Sequence, residues 1–254
     1  MENAIDKISL VGFGNVGSHL AKEFIRCNVA VTHIYSRDPQ EVYEKETGAL
    51  YVDQFKDLPE GQTTIVCVPD DAIKSVIKEI PISCPVAYTS GATDIKSLFP
   101  RENLGVIYPL QTFSKGVPVN MFEVPFFIEA SNDYFASLLF DLAWKISRTV
   151  TFANSEEREH LHIAAVFVNN FTNHLAFISK EHLDKRKLNF DHLKPLLIET
   201  VNKLNHQTPY EGQTGPARRG DVNIIEQHLL KLEGLPKELY QLMSESIRNT
   251  YTKK

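Results

Sequence analysis

The sequence predicts an α/β fold in which a doubly wound, mostly parallel sheet is followed by an all-helical C-terminal domain. The chain has 254 residues, a length that suits about two domains of roughly 100 to 200 residues each. Up to about residue 152, short β-branched or apolar runs alternate with helical patterns, which is typical of a parallel sheet covered by helices. After Asn154, apolar residues recur at three- and four-residue spacing without a strand-like run, which indicates helices.

The predicted strands are short and evenly distributed over the first part of the chain. They cover residues 7–11, 29–35, 63–68, 86–89, 105–108, 126–129 and 149–152. Asn154 and Ser155 precede Glu156 and Glu157, as an N-cap precedes acids in the first turn of a helix. We therefore predict one domain over residues 1–153 and a second over residues 154–254, with a final helix that restarts at Pro236.

A glycine-rich segment joins the first predicted strand to an amphipathic helix. The first glycine permits a tight turn, the second lets the backbone approach a pyrophosphate, and the third lets the helix pack closely on the strand. The amides at the helix N-terminus can bind the phosphates. This context predicts a Rossmann-type dinucleotide site rather than a merely structural turn. Its residues are Gly12, Phe13, Gly14, Asn15, Val16 and Gly17.

The end of the second predicted strand favours NADP over NAD. An NAD site usually offers an acid to the ribose hydroxyls at this point, but this chain has Tyr35, Ser36 and Arg37. A charge-assisted hydrogen bond contributes roughly 1.5 to 3 kcal/mol, so Arg37, helped by Ser36, should favour the 2′-phosphate by about ten- to a hundredfold. Asp38 is a competing acid, although Asp38 and Pro39 also fit the start of a helix.

Two further strand ends are expected beside the nicotinamide, because ligands bind at the carboxyl ends of strands in such sheets. Val68 and Pro69 should line the nicotinamide ribose, whereas Asp70 or Asp71 can simply cap the next helix. Ser90, followed by a glycine, could present a hydroxyl and an amide to the nicotinamide or the substrate. A plain turn explains the same two residues equally well.

Polar residues recur along the first helix of the second domain. His162, Val166, Asn169 or Asn170, and Asn173 are spaced at i, i+4, i+7 or i+8, and i+11, so they lie along one face of a regular α-helix. A face that only packs is normally apolar, since a buried unpaired polar group costs about 1 to 3 kcal/mol. The pattern favours a substrate site, in which His162 is a general acid or base because imidazole titrates near neutral pH, and Asn170 orients the substrate. A hydrogen-bonded structural histidine is the alternative.

A loop over residues 206–221 is rich in glycine, proline and threonine and carries two arginines. Loops held by a rigid scaffold often carry binding residues, and Arg218 or Arg219 could bind a substrate carboxylate or phosphate with its guanidinium fork. Alternatively, Arg219 pairs with Asp221 and pins the loop.

Several motifs occur in a specific order: GFGNVG, SGA at residues 90–92, YPLQTF at 108–113, HIAAVFVNN at 162–170 and TGPARRGD at 214–221. In this order the chain resembles bacterial Rossmann-like proteins that carry a DUF2520 C-terminal domain, and more distantly pyrroline-5-carboxylate reductases and the 6-phosphogluconate and β-hydroxyacid dehydrogenases. The resemblance implies an NADP-dependent oxidoreductase with a helical domain that dimerises, and it favours Arg219 over Arg218. Tyr108 stands where such proteins often have histidine, so no proton-transfer role is carried over to it.

Composition excludes several classes of partner. A net charge of −5 without a long basic run gives nucleic acid or anionic lipid little attraction, and no stretch reaches the roughly 18 apolar residues of a membrane span. The N-terminus lacks the pattern of an export signal. The spacing of Cys27, Cys67 and Cys84 fits no metal motif, which predicts reduced thiols in the cytoplasm and no metal.

These observations together predict an enzyme that passes a hydride between NADP(H) and a small carbonyl or imine substrate in a cleft between the two domains. The alternatives are a non-catalytic NADP-binding sensor or scaffold and, more narrowly, a pyrroline-5-carboxylate reductase. The predicted helices after residue 154 carry more apolar surface than an isolated bundle covers, so we also expect a homodimer formed through this region.

Overall fold

The computed structural model describes residues 4–37, 45, 47–98 and 100–252. Within them, eight strands form one sheet in the order β3-β2-β1-β4-β5-β6-β7-β8. Neighbouring strands are parallel except β6 and β7, which are antiparallel. The strands are β1 (Lys7–Val11), β2 (Ala30–Tyr35), β3 (Leu50–Val52), β4 (Thr63–Val66), β5 (Val86–Tyr88), β6 (Leu104–Pro109), β7 (Phe126–Ala130) and β8 (Val150–Phe152).

The strand order changes direction between β1 and β4. From β1 the chain builds outward through β2 and β3, and it then returns to the other side of β1 with β4. In open α/β sheets this switch point leaves a crevice outside the carboxyl ends of the strands, where ligands bind. The predicted fold class is confirmed, and the sequence analysis missed only β3 among the described strands.

Helices cover both faces of the sheet. Among the described residues up to 165 they are α1 (Asn15–Arg26), α2 (Asp70–Glu79), α3 (Asp133–Trp144) and α4 (Ser155–Ala165), and short 3-10 turns lie at Phe55–Asp57, Ile95–Ser97 and Met121–Glu123. One cluster of buried side chains includes Leu10, Leu20 and Phe24, and a second includes Ile73 and Ile77. The apolar residues of α1 and α2 thus form part of the core that holds the switch point.

The cap predicted at the start of α4 is present. Asn154 accepts a hydrogen bond from the Glu157 amide, and the Glu157 carboxylate accepts one from the Asn154 amide. Such a reciprocal capping box fixes where the helix begins. The helix then continues through a π-helical segment, Val166–Phe171, into α5 (Thr172–Asp184).

The chain divides into two compact units, Met1–Asn170 and Phe171–Lys254. The sequence-based boundary at residue 153 stays a prediction, and these units divide further along, inside the π-helical segment. The second unit is helical, as predicted, and Ala217 is the only buried residue among its described residues. Its remaining elements are a 3-10 turn at Phe190–Leu193, α6 (Lys194–Lys203), helical turns at Pro209–Gly212 and Pro216–Arg219, α7 (Val222–Leu229) and α8 (Gly234–Thr252).

None of the helices in the described ranges is long and apolar enough to cross a membrane.

Candidate cofactor and catalytic site

The glycine-rich segment forms a turn in which two of the three glycines leave no room for a side chain. Gly12 has a φ of +93°, and a Cβ there would lie 2.3 Å from the carbonyl oxygen of Cys67. A Cβ at Gly17 would lie 2.2 Å from the carbonyl oxygen of Gly12. These contacts bring β1, α1 and the end of β4 together with backbone against backbone. Gly12 and Gly17 therefore have the packing roles that the sequence predicts for them.

Gly14 lies in different surroundings, because a Cβ added there meets nothing within 4 Å. Gly14 and Asn15 are exposed at the N-terminus of α1, Phe13 is buried and Val16 is half-buried. Gly14 precedes the first turn of α1, which contains no acidic residue. The open space and the uncapped amides give this end of the helix the shape and polarity that suit a pyrophosphate.

The end of β2 is held in place by aromatic side chains. The Tyr51 hydroxyl donates a hydrogen bond of 2.8 Å to the carbonyl oxygen of Ser36, and the Tyr35 ring stacks on Phe55 with 4.1 Å between centroids. Arg37 follows directly and is exposed. Its guanidinium is therefore accessible to an anionic ligand at the edge of the crevice. The competing acid Asp38 and the predicted helix start at Pro39 lie outside the described residues.

Val68 and Pro69 lie beside the glycine turn. A Cβ placed on Gly12 would lie 3.2 Å from the Val68 side chain, so this valine lies against the glycine turn. Pro69 is the N-cap residue of α2, so Asp70 and Asp71 lie in the first helical turn instead of capping it. Carboxylates at this position interact favourably with the helix dipole.

Ser90 is buried, and its side chain serves its own turn. The hydroxyl oxygen accepts hydrogen bonds from the amides of Ala92 and Thr93, at 3.1 and 3.0 Å. This is the plain turn that the sequence analysis weighed as an alternative. A contact between Ser90 and a cofactor stays a prediction.

Tyr108 and His162 meet above the carboxyl end of β6. The Tyr108 hydroxyl lies 3.1 Å from Nδ1 of His162, and the two rings meet edge to face, with centroids 6.2 Å apart and an angle of 64° between their planes. A Cβ on Gly91 would lie 2.5 Å from the Tyr108 ring, so the ring lies directly against this glycine. The strand ends thus bring a predicted site residue, His162, into contact with the tyrosine to which no role was assigned.

Arg158 organises the loop that follows β5, although the sequence analysis did not single it out. It is fully buried, and its guanidinium donates to the carbonyl oxygens of Ser90 at 2.8 Å and Thr93 at 3.2 Å. It also forms a 2.6 Å ion pair with Glu129. A charge this deep requires such partners. Arg158 is flanked by acidic residues in the sequence, and this pattern does not indicate that its side chain is buried.

Burial and nearby charge also set the protonation of Tyr108. Removal from water raises the pKa of its hydroxyl to about 12, and the negative charge of Asp70 acts in the same direction. Tyr108 therefore keeps its proton throughout the neutral range.

The predicted polar face beyond His162 is altered by the π-helical segment. Asn170 lies within that segment and is exposed. A π-helix has more residues per turn than an α-helix, so the spacing of His162 and Asn170 no longer has the meaning that it has in a regular α-helix. Such segments occur frequently at functional sites. A substrate contact by Asn170 stays a prediction.

Arg219 and Arg218 both have partners within the second unit. Arg219 binds one carboxylate oxygen of Asp221 through Nε at 3.0 Å and through a terminal nitrogen at 2.8 Å. Arg218 stacks over the Tyr251 ring at 4.0 Å. The predicted pairing of Arg219 with Asp221 is therefore present. The Arg219 side chain remains largely exposed, and anion binding by it stays a prediction.

Two family models match the sequence. One is described as "NADP oxidoreductase coenzyme F420-dependent" and matches residues 7–86, and the other is a domain of unknown function, DUF2520, that matches residues 124–247. Both agree with the resemblance inferred from the ordered motifs. A search of curated proteins found no match.

Solved structures resemble the chain over nearly its whole length. The "putative NADP oxidoreductase BF3122 from Bacteroides fragilis" is 35% identical, with a TM-score of 0.87 over 96% of this chain and 98% of that one. A pyrroline carboxylate reductase from Plasmodium falciparum with NADP bound is 13% identical, with a TM-score of 0.60 over 97% and 99%. An imine reductase from Myxococcus stipitatus in complex with NADP+ is 12% identical, with a TM-score of 0.62 over 96% and 92%. The last two similarities concern the fold alone.

Proposed function

The chain belongs to the NADP oxidoreductase family that includes the Bacteroides fragilis protein, and from this premise we propose that it transfers a hydride between NADP(H) and a small carbonyl or imine substrate. The observation that carries the proposal is the glycine turn. Gly12 and Gly17 pack backbone against backbone, whereas the space at Gly14 is open beside the amides of α1. This arrangement suits a pyrophosphate.

The dinucleotide would follow the carboxyl ends of the strands. Its pyrophosphate would lie against the turn from Gly12 to Gly17, and the 2′-phosphate of the adenosine would bind Arg37 and Ser36. Val68 and Pro69 would line the nicotinamide ribose, with Ser90 nearby. When bound, NADPH supplies a hydride and NADP+ accepts one.

His162 is the residue proposed to exchange a proton with the substrate. Hydride addition to a carbonyl or imine carbon places the displaced electron pair on oxygen or nitrogen, and a proton from His162 would neutralise it. Asn170 would orient that oxygen or nitrogen. Arg219 would bind an anionic group of the substrate while sharing its charge with Asp221.

We also propose a homodimer. The second unit exposes large apolar side chains on its helices, and its described residues include a single buried one. A folded domain normally buries well over half of the surface of its unfolded chain, so these helices need a partner surface. A second copy supplies matching apolar helices in the closed two-fold arrangement that is commonest among soluble oligomers. The free thiols of Cys27, Cys67 and Cys84 suit a reducing compartment such as the cytoplasm.

The function is tested by following NADPH consumption by the purified protein with keto acids, aldehydes, cyclic imines and acyl phosphates. Turnover with at least one class is expected, and His162→Gln should lower kcat by about a hundredfold or more, since general acid catalysis contributes about 10²- to 10⁴-fold. Proline formation from pyrroline-5-carboxylate would narrow the function to that reductase. Tight NADPH binding without turnover on the whole panel would instead identify a non-catalytic binding protein.

A further inference from the structure

The Tyr108 ring has little freedom of movement. The hydroxyl end of the ring lies directly against Gly91, where a Cβ would lie 2.5 Å from the ring, and Phe127 lies alongside with 6.4 Å between centroids. Because the backbone of β6 fixes the other end of the side chain, the position of the hydroxyl is determined by the fold. The packing of the first unit therefore fixes the 3.1 Å separation between this hydroxyl and Nδ1 of His162.

The direction of this hydrogen bond follows from burial. Tyr108 is 8% exposed, and among the described residues its hydroxyl has one hydrogen-bond partner, Nδ1 of His162. If Nδ1 carried a proton, the tyrosine oxygen would accept and its own proton would have no protein acceptor, which costs about 1 to 3 kcal/mol. The phenol keeps its proton at neutral pH, since burial raises the pKa of Tyr108 to about 12. The hydroxyl therefore donates, and Nδ1 accepts.

A neutral imidazole carries a proton on only one nitrogen. We infer that Tyr108 is a positioning residue that holds neutral His162 in the tautomer protonated on Nε2, so that Nε2 is the nitrogen available to the substrate. This inference rests on the proposed function only in its last clause. The tautomer itself is a property of the unliganded protein.

The resting tautomer can be measured without a substrate. Long-range proton–nitrogen correlation spectra of the 15N-labelled full-length protein at pH 8 distinguish a protonated ring nitrogen from an accepting one. His162, assigned by the signals that disappear in His162→Gln, should show a protonated Nε2 and an accepting Nδ1. In Tyr108→Phe, which keeps the ring packed on Gly91, both nitrogens should move toward the intermediate values of a tautomer mixture.

The chain contains a matched control. In the second unit, the Tyr240 hydroxyl lies 2.7 Å from Nδ1 of His228. Tyr240→Phe should change the nitrogen signals of His228 and leave those of His162 unchanged. Gly91→Ala, which pushes the Tyr108 ring without removing its hydroxyl, should disturb His162 as Tyr108→Phe does. A proton on Nδ1 of His162 in the unmodified protein, or an unchanged tautomer in Tyr108→Phe, would overturn the inference.

Kinetics separate this inference from the proposed function. With a substrate that the protein turns over, Tyr108→Phe should lower kcat by about tenfold, the equivalent of one hydrogen bond, with little change in KM. A rise in KM with unchanged kcat would contradict the positioning role. If the tautomer is as inferred but no substrate is turned over, the proposed function fails and the assignment of the hydrogen bond stands.

Discussion

The exposed guanidinium of Arg37 is the group that we propose selects the dinucleotide. It follows β2 where Tyr51 holds the carbonyl of Ser36, so its backbone position is defined while its side chain remains accessible. A 2′-phosphate would gain a charge-assisted hydrogen bond there, and a 2′-hydroxyl would not.

Arg37→Ala should therefore weaken NADPH binding by about ten- to a hundredfold and leave NADH binding nearly unchanged, because one charge-assisted bond contributes roughly 1.5 to 3 kcal/mol. Titration calorimetry with both cofactors measures the two affinities. Arg26→Ala, which removes an exposed arginine on α1 that pairs with Glu23, is the control and should change neither. An equal loss of affinity for both cofactors would refute the role of Arg37.

The Cys67 thiol next to the glycine turn should be unreactive. Removal from water raises the pKa of this thiol to about 12, so at pH 8 a much smaller fraction of it is thiolate than in an ordinary cysteine. Alkylation of Cys67 by iodoacetamide, followed by mass spectrometry, should be correspondingly slow in the native protein and fast in guanidinium. Because the pKa of the Cys67 thiol is higher in the folded protein than in the unfolded chain, this thiol adds to the free energy of unfolding at neutral pH. The contribution is lost as the pH rises from about 9 toward 12. Rapid native alkylation at pH 8 would contradict this environment.

Among the elements, α4 contributes most to the organisation of the site. Its first turn carries Arg158, which binds the Ser90 and Thr93 carbonyls and the Glu129 carboxylate. Ser155 from the same turn donates to that carboxylate at 2.8 Å. The element that presents His162 is thus tied to the ends of β5 and β7 by a buried network, which gives the histidine a defined position.

Arg158→Met should lower the free energy of unfolding by about 3 to 5 kcal/mol, since it leaves Glu129 and several carbonyls without their partner. Arg26→Met, which breaks the exposed pair with Glu23, should cost about 1 kcal/mol or less. Urea denaturation of both variants gives the comparison. Similar costs for the two would show that the buried pair adds nothing beyond a surface contact.

The elements also show where sequence reasoning succeeds and where it stops. The strands with β-branched or apolar runs were predictable from pattern, and so was the glycine turn, because its spacing is imposed by the backbone contacts of Gly12 and Gly17. β3 was missed because three residues, Leu50–Val52, are too short to show a period. Arg158 and the bond between Tyr108 and His162 depend on tertiary packing, and the π-helical segment interrupts a spacing that looked regular.

At the scale of the whole molecule, the second unit is notable for the large apolar side chains that it exposes. Along α6, the exposed fractions are 64% for Leu196, 60% for Ile198 and 62% for Val201. Exposed large apolar side chains in this number are typical of a protein interaction surface. The proposed homodimer accounts for it with no further partner.

Sedimentation at micromolar concentration should show a dimer instead of the 28.8 kDa monomer. The double variant Leu196→Glu and Val201→Glu should shift the protein toward monomer or cause loss of the folded second unit, because it places charges in the proposed interface. Ile82→Glu, at a 75% exposed position of the first unit, is the matched control and should remain dimeric. A monomeric parent protein, or a dimer unaffected by the double variant, would contradict the proposal.

The three glycines of the nucleotide turn should differ in the substitutions that they tolerate. In a library of random substitutions sorted first for folded protein, only glycine should remain at positions 12 and 17. The reason is that a Cβ there would lie 2.3 or 2.2 Å from a carbonyl oxygen. Position 14, where an added Cβ meets nothing within 4 Å, should tolerate substitution in that sort and become restricted only when the survivors are sorted for retained NADPH. One short motif would then contain two positions constrained by folding and one constrained by the ligand. A related protein that no longer binds the cofactor should therefore keep the glycines at positions 12 and 17 but not the one at position 14, whereas a relative that still binds it should keep all three.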